Sequence, residues 1–254
     1  MNHTHYIKPD WPAPINVCAY VTTRTDGHSK PPYNSFNLAD HVGDNATDVS
    51  ANRKQLYDEL NLPNEPIWLK QIHGNNVICA NEMMTNTEAD ALYTTSPDTV
   101  CVILTADCLP ILLCDNLGTK VAAIHAGWRS LSAGIIEKTI TALNTPSSQL
   151  LAWLGPAINQ SFYEVGEDVY DKFVQQNNDS KKAFRQKNES KWLADIYILA
   201  KQRLVACNII NIYDNKLCTF TDKQCFFSYR RDGETGRMAS LIWFKKITQK
   251  IFLK

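Results

Sequence analysis

Three short apolar runs lie close together in the middle of the chain, within residues 98–134. The runs cover residues 100–105, 111–114 and 121–124. Each has the length of a β-strand and is too short to favour a helix. Side chains that can do chemistry stand beside them: Asp107 and Cys108 follow the first run, and His125 stands at the end of the third. Because buried strands hold the groups at their ends in fixed positions, this stretch is predicted to carry the functional site.

A helix is predicted directly after these runs, over residues 131–143, with its apolar residues on one core-facing stripe. Arg129 then stands at the N-terminus of this helix, where free backbone N–H groups favour an anion and an arginine adds to that preference. A surface arginine in a salt bridge suits the pattern equally. Trp128 beside it is either a core residue or, next to a cleft, a platform for a planar base.

The remaining arginines of interest have ordinary interpretations. Arg53 lies on a predicted helix over residues 48–60, where a solvated face is the usual assignment. Arg230, Arg231 and Arg237 flank an Asp-Gly turn and are assigned to that turn.

Strands and helices alternate irregularly along the rest of the chain. Further strands are predicted over residues 15–23, 67–71, 77–80, 150–154, 209–213 and 225–229, and further helices over residues 164–176 and 192–207. Residues 241–244 form a final apolar segment. Residues 23–44 are rich in Gly, Pro, Asn and Asp and are predicted to form a long loop. Residues 175–191 are polar and charged and are predicted to be a solvated excursion. This mixture favours one α+β domain over residues 1–254, with a mixed β-sheet core flanked by helices.

His73, Cys108 and His125 are the sharpest set of candidate ligands, because each stands at a predicted strand end or in the turn beside it. Neutral imidazole and thiolate bind zinc, and three protein ligands with one open position characterise catalytic zinc sites. Dispersed His and Cys residues also occur as ordinary structural residues, so the spacing leaves both interpretations open. Cys108 and His125 admit a third, a metal-free thiolate nucleophile beside its base, with Asp107 or Asp115 orienting the imidazole.

Composition limits the function classes. Lys plus Arg number 26 and Asp plus Glu number 26, so the formal net charge is zero. Proteins that bind nucleic acid or anionic membranes usually carry an excess of positive charge, which this composition does not have. No apolar run approaches the roughly 18 residues of a membrane span. No signal peptide is predicted, because the first residues lack a basic region followed by an apolar one, and the eight cysteines contain no CxxC pair. We therefore expect a cytoplasmic globular protein with reduced thiols and without nucleic-acid or membrane partners.

Several longer motifs span nearly the whole chain in a fixed order. They are TRTDGHSKPPYNSFNLADHVGD with VSANRKQL, QIHGNNV, EADALYTT, LTADCLPILLCD, AAIHAGWRS, LGPAI with FYEVGEDV, and FFSYRRDGETGRMA. With these motifs the chain resembles the multicopper polyphenol oxidase (laccase-like domain) family, of the purine nucleoside phosphorylase and adenosine deaminase type, which includes the peptidoglycan editing factor. Ser130 stands where this family usually has glycine after HAGWR, and Ala39 replaces another glycine. These departures concern loop detail and leave the candidate ligands in place.

The resemblance implies a single-domain mixed α/β fold of the cysteine-hydrolase-like kind and a zinc site formed by His73, Cys108 and His125. It also implies phosphorolysis of adenosine, inosine, guanosine and methylthioadenosine to the base and (methylthio)ribose 1-phosphate, together with deamination of adenosine to inosine. Purine nucleosides and phosphate are then the expected partners, and the protein is expected to be a monomer or a small homo-oligomer.

The resemblance and the candidate anion sites together give roles to individual residues. Cys108, His125 and Asp107 are the predicted catalytic residues, and the candidate anion sites Arg129 and Arg53 are the predicted contacts for phosphate. A water molecule activated by zinc is suited to attack the purine C6, and phosphate held by arginine is suited to attack the ribose C1′.

Zinc is favoured over copper, which is the metal of the family's older label. A laccase uses several coppers and therefore many histidines, including a His/Cys blue-copper centre, whereas this chain has six histidines. The competing functions are a metal-free cysteine hydrolase acting on an amide or ester such as a peptidoglycan precursor, a copper-dependent polyphenol oxidase, and a non-catalytic protein whose zinc pins loops together. The open fourth position of the ligand set and the arginines favour a zinc-dependent purine nucleoside enzyme.

Overall fold

Two β-sheets form the middle layers of the molecule. A computed structural model describes residues 6–80 and 87–246. The first sheet has the strand order Tyr6–Ile7 (β1), Val17–Thr22 (β2), Met238–Phe244 (β13) and Cys101–Thr105 (β5), with strands numbered along the chain. All neighbouring strands in this sheet are antiparallel. The sheet therefore joins segments from both ends of the chain to the first of the three central runs.

The second sheet is mixed and contains the other two central runs. Its strand order is Asn211–Asp214 (β12), Leu150–Leu154 (β8), Leu109–Asp115 (β6), Val121–Ala126 (β7), Ala91–Thr94 (β4) and Val77–Cys79 (β3). The two outer pairs, β12 with β8 and β3 with β4, are parallel, and the three inner pairs are antiparallel. The predicted α+β fold with a mixed sheet is thus confirmed.

A small third sheet and six α-helices complete the described part of the chain. The small sheet has the order Phe184–Asn188 (β10), Lys191–Ala194 (β11) and Glu164–Gly166 (β9). The helices are Ala46–Glu59 (α1), Trp128–Ser132 (α2), Ile135–Leu143 (α3), Glu167–Gln176 (α4), Ile196–Ala206 (α5) and Tyr229–Asp232 (α6). None of the helices in the described ranges combines the length and the apolar character needed to cross a membrane.

Alternation along the central strands explains how the layers stack. In β6, Leu113 belongs to the apolar cluster on the helix side of the second sheet, whereas Leu112 belongs to the cluster between the two sheets. In β5, Ile103 points into the cluster between the sheets and Val102 into a cluster with Leu56 of α1. Successive side chains of a strand point to opposite faces, so strands covered on both faces are apolar throughout. The order of layers is α1, first sheet, second sheet, and then helices α2 to α5.

Several predicted boundaries are wrong. The predicted strand 67–71 contains only isolated bridges, from Ile67 to Cys101 and from Lys70 to Glu88. The predicted strand 225–229 is absent, and α6 begins at its last residue. Leu69 instead packs into the apolar cluster between the two sheets, and Phe226 and Phe227 pack with Met238 in a smaller cluster.

Three predicted helices are also revised. The predicted helix 131–143 is two helices, separated at Gly134, whose φ of 83° breaks the helical path. The segments 164–176 and 192–207 begin with strands β9 and β11, which pair with each other before α4 and α5 start. The predicted solvated excursion 175–191 contains β10, whose residues after Phe184 are exposed. The predicted loop 23–44, in contrast, has no helix or strand and is confirmed.

Candidate functional site

His73, Cys108 and His125 meet at one end of the second sheet. Their ligand atoms all lie within 4.8 Å of one another. His125 lies on β7 opposite Pro110 of β6, and Cys108 directly precedes β6, so strand pairing brings the thiol beside this imidazole. His73 comes from the loop before β3, and its ring lies edge-on to that of His125 with the centroids 4.7 Å apart. The predicted ligand set is therefore assembled in space.

The absence of a side chain at Gly127 leaves space for these three side chains. A Cβ atom at this position would lie 3.1 Å from the Sγ of Cys108 and 3.2 Å from the Cδ2 of His73. Both separations are shorter than an ordinary van der Waals contact for such atoms. A glycine at this position therefore allows the three candidate ligands to approach one another.

Asp90 holds two of the candidate ligands in place. Its carboxylate is fully buried. One oxygen, Oδ1, accepts from the backbone N–H of His73 at 2.9 Å and bonds the Nδ1 of His125 at 2.8 Å. The other, Oδ2, accepts from the backbone N–H groups of Ile72 at 3.3 Å and Gly74 at 2.6 Å. With Nδ1 occupied, the Nε2 of His125 is the nitrogen left to face the thiol.

Two residues of the site have left-handed backbone conformations. His73 has φ of 57° and Asp107 has φ of 91°, values that non-glycine residues seldom adopt. The conformation of His73 is held by the hydrogen bonds that the backbone N–H groups of residues 72–74 donate to Asp90. Asp107 is held by its side chain, which accepts from the hydroxyl of Thr219 at 2.6 Å and from the backbone N–H of Arg230 at 2.7 Å. Both oxygens of Asp107 are thus engaged in fastening distant segments to the site.

Charges in this group reinforce one another. Burial raises the pKa of the Cys108 thiol, but the adjacent charge of His125 and hydrogen bonds with His125 and His73 outweigh burial and lower this pKa to about 6. Burial lowers the pKa of His125, but Cys108 and Asp90 outweigh it and raise this pKa to about 9. Burial also raises the pKa of Asp90, and the hydrogen bond and charge of His125, with the N–H groups of Gly74 and His73, bring it below its ordinary value. Each of the two groups thus favours the charged form of the other, the thiolate of Cys108 and the imidazolium of His125.

A cleft of about 590 Å³ opens over this group. Its lining includes the aromatic side chains of Trp128 and Tyr163 and the guanidinium groups of Arg129, Arg230 and Arg237. Aromatic faces suit a planar base, and guanidinium groups suit an oxyanion. The cleft thus offers surfaces for both kinds of ligand next to the His-Cys-His group.

The two predicted phosphate contacts lie in different places. Arg129 lines the cleft, is exposed, and stacks on Trp128 with its Cζ 4.4 Å from the ring centroid. It is the second residue of the five-residue α2, so the predicted long helix does not begin after it. Arg53 lines a separate cavity on α1, stacks on Trp68 at 4.0 Å and pairs with Asp40 at 3.3 Å. The structure therefore brings Arg129 to the cleft and does not bring Arg53 there.

Sequence reasoning missed the residue that orients His125. Asp115, one of the two predicted orienting residues, instead accepts from Thr119 and Lys120 in the turn after β6, and that prediction is wrong. Asp90 has this role, and its one signal in the sequence is an acidic residue directly before an apolar run in the EADALYTT motif. Arg237 was likewise assigned to a turn, although it lines the cleft.

The sequence profile of the family described as "Multi-copper polyphenol oxidoreductase laccase" matches residues 18–245. The chain belongs to this family. Among residues 6–80 and 87–246, His73, Cys108 and His125 are the one group of three or more His, Cys or acidic side chains close enough to share a metal ion. That single group offers ligand atoms for one ion, not for several.

The similarity to named relatives and to a solved structure covers nearly the whole chain. An Escherichia coli protein named purine nucleoside phosphorylase YfiH is 48% identical over 93% of this chain and 98% of its own length. A Haemophilus influenzae purine nucleoside phosphorylase is 47% identical over 94% and 99%. The crystal structure of a Neisseria meningitidis protein has a TM-score of 0.92 at 42% identity, covering 96% of this chain and 100% of that one. This chain therefore shares its fold with that protein over nearly the whole length of both.

Proposed function

We propose that the protein is a zinc-dependent purine nucleoside enzyme. It cleaves purine nucleosides with phosphate, giving the free base and ribose 1-phosphate, and it deaminates adenosine to inosine. The observation that carries this proposal is the His73, Cys108 and His125 group, converging within 4.8 Å beside a cleft that is lined by aromatic rings and arginines. The names of the relatives, purine nucleoside phosphorylases, support the substrate class.

His73, Cys108 and His125 have the donor chemistry of a zinc site. Two imidazoles and a thiolate are preferred zinc ligands, and a carboxylate on the second nitrogen of a ligating histidine is a common supporting contact. Asp90 makes that contact to His125. A zinc ion held by three protein ligands supplies a Lewis acid and lowers the pKa of a water molecule. We assign these three residues as the ligands.

The walls of the cleft are suited to the nucleoside and the phosphate. We propose that Trp128 and Tyr163 contact the purine, and that Arg129 contacts phosphate from the exposed side. Asp107, with both carboxylate oxygens already bonded to Thr219 and Arg230, acts as a positioning residue rather than a proton carrier. Adenosine, inosine, guanosine and methylthioadenosine are the proposed substrates.

The two reactions share a bound purine and differ in the bond that breaks. In phosphorolysis, a phosphate oxygen forms a bond to the ribose C1′ while the bond from C1′ to the purine N9 breaks. The electron pair leaves with the purine, which gains the proton that phosphate loses. In deamination, water adds at C6 and ammonia leaves. The arginines are needed for the first reaction alone, since deamination uses no phosphate.

Chromatography of the products tests the proposal. Purified protein should convert adenosine to adenine and ribose 1-phosphate with phosphate present, and to inosine and ammonia without it. Chelation should abolish both reactions and added zinc should restore them. Cys108→Ala should lose both, whereas Cys207→Ala, which removes a thiol at the end of α5, should keep both. Turnover of wild-type protein no higher than that of Cys108→Ala would refute the proposal.

A second candidate function is a metal-free cysteine hydrolase. It is favoured because Cys108 contacts His125, which in turn is bonded to Asp90. This arrangement matches a nucleophile, its base and the group that orients the base. The two candidates differ in their response to chelator. Hydrolysis of an activated ester that persists in metal-free protein and disappears in Cys108→Ala would favour the hydrolase.

A further inference from the structure

Arg237 carries a partly buried charge with no carboxylate beside it. In residues 6–80 and 87–246, no Asp or Glu oxygen lies within ion-pair distance of its guanidinium. Its Nη1 donates to the backbone carbonyls of Thr235 at 2.7 Å and Gly236 at 3.0 Å, and these bonds orient the planar group. Burial lowers the pKa of Arg237, and the more distant negative charges of Cys108 and Asp107 offset this only in part. Buried charges in proteins are normally paired, so this one points to an anionic ligand.

Thr105 places an unused hydroxyl beside it. Met238 pairs with Thr105 across β13 and β5, so Arg237, the preceding residue, lies at the same edge of the first sheet. Thr105 is 2% exposed, lines the cleft, and its Oγ1 has no hydrogen-bond partner among the described residues. Buried polar groups are almost always hydrogen-bonded, so this hydroxyl also indicates a ligand in the cleft.

Arg230 adds a second guanidinium to the same part of the cleft. Its backbone N–H is bonded to Asp107, and its Nη1 donates to the carbonyl of Phe162 at 3.2 Å. Its Cζ lies 5.5 Å from the ring centroid of Tyr163. No carboxylate in the described ranges pairs with it either. In the described part of the chain, Arg237 and Arg230 thus bring two guanidinium groups without an ion pair, and Thr105 an unpartnered hydroxyl, to this cleft.

We propose that Arg237, Thr105 and Arg230 form a binding site for a tetrahedral oxyanion, and that inorganic phosphate occupies it during phosphorolysis. This assignment rests on the proposed function. Guanidinium groups bind phosphate through two parallel hydrogen bonds, and a hydroxyl donates a third. Arg237 and Thr105 are the less exposed members of this site, whereas Arg230 and Arg129 are both exposed, and an exposed charge is screened by water and salt. Arg230 is assigned to the site because its backbone is bonded to Asp107, and Arg129 is the weaker contact because it lies apart on α2. The purine then lies between this anion site and the aromatic side of the cleft.

Titration calorimetry with inorganic phosphate tests the site directly. Arg237→Gln should weaken phosphate binding about 10- to 100-fold, the value of a lost hydrogen bond to a charged group. Arg129→Gln should weaken it less. Thr105→Val keeps the shape of the side chain and should weaken binding, whereas Ser240→Ala should not. Ser240 is a matched control, since its buried hydroxyl is also unpartnered but lies on β13 away from the cleft.

Enzyme kinetics separates this proposal from the proposed function. Arg237→Gln should raise the KM for phosphate in phosphorolysis and leave deamination less affected. Active protein whose phosphate binding and KM survive in both Arg237→Gln and Thr105→Val would overturn the site and leave the function standing. Phosphate binding that depends on Arg237 in a protein without phosphorolysis would support the site and refute the function.

Adenosine 5′-monophosphate distinguishes the source of the phosphate group. If this nucleotide binds through Arg237 and inorganic phosphate does not, the site takes the phosphate of a nucleotide and the assignment to inorganic phosphate is overturned. Circular dichroism of each variant establishes that it is folded before its binding is compared with wild type.

Discussion

Replacing Asp90 with asparagine should weaken the hydrogen bonds that position His73 and His125, while the volume of the side chain stays nearly the same. The carboxylate accepts four hydrogen bonds, two on each oxygen, at 2.6 to 3.3 Å. An amide keeps one acceptor oxygen and turns the other into a donor, which then faces either the N–H groups of Ile72 and Gly74 or the N–H of His73 and the Nδ1 of His125. If the amide nitrogen replaces Oδ1, His125 is driven to the tautomer that protonates Nε2, the nitrogen needed for a metal.

The size of the effect follows from these bonds. Loss of a carboxylate that supports a ligating histidine typically lowers metal affinity 10- to 100-fold, or about 1.4 to 2.7 kcal/mol. Each buried donor left without an acceptor, one or two of them depending on the orientation of the amide, costs about 1–3 kcal/mol in the free energy of unfolding. We therefore expect Asp90→Asn to bind zinc 10- to 100-fold more weakly and to unfold at lower denaturant concentration.

Competition with a chromogenic chelator measures the zinc affinity, and the visible spectrum of the cobalt-substituted protein reports the ligand geometry. Asp115→Asn is the matched control, because Asp115 is also a buried carboxylate that accepts hydrogen bonds, from Thr119 and Lys120, in a turn that does not line the cleft. It should lose stability and keep zinc affinity. Unchanged zinc affinity in Asp90→Asn, or an equal loss in both variants, would refute the reasoning.

Three further predictions concern the same metal group. Purified protein should hold about one zinc per chain, and elemental analysis should find the metal lost from folded His125→Ala; full occupancy there would contradict the ligand assignment. Zinc affinity should rise with pH between about 6 and about 9, the pKa values of Cys108 and His125, because the imidazolium must release its proton to bind a metal. Zinc titrations at several pH values should show that the affinity rises about tenfold per pH unit in this range, and an affinity independent of pH would contradict the prediction. Gly127→Ala should weaken zinc binding with the fold retained, since the new methyl group meets the Sγ of Cys108 and the ring of His73; wild-type affinity in this variant would show that the group can shift.

The local sequence pattern was sufficient for the central strands and the candidate ligands. Residues 100–105, 111–114 and 121–124 are short apolar runs that become β5, β6 and β7, because strands covered on both faces are apolar at every position. His73 and Cys108 stand beside predicted strand ends, where chemistry-bearing residue types are visible without knowledge of the fold.

Tertiary structure decided the rest of the site, since its contacts join residues far apart in the chain. Asp90 reaches His125 only because β4 pairs with β7, and Arg237 reaches Thr105 only because β13 pairs with β5. Arg53 is kept away because α1 packs on the far face of the first sheet. Pairing between strands depends on the whole chain, whereas periodicity and turn residues are local. The candidate ligands were therefore predictable from the sequence, and the residues that support them were not.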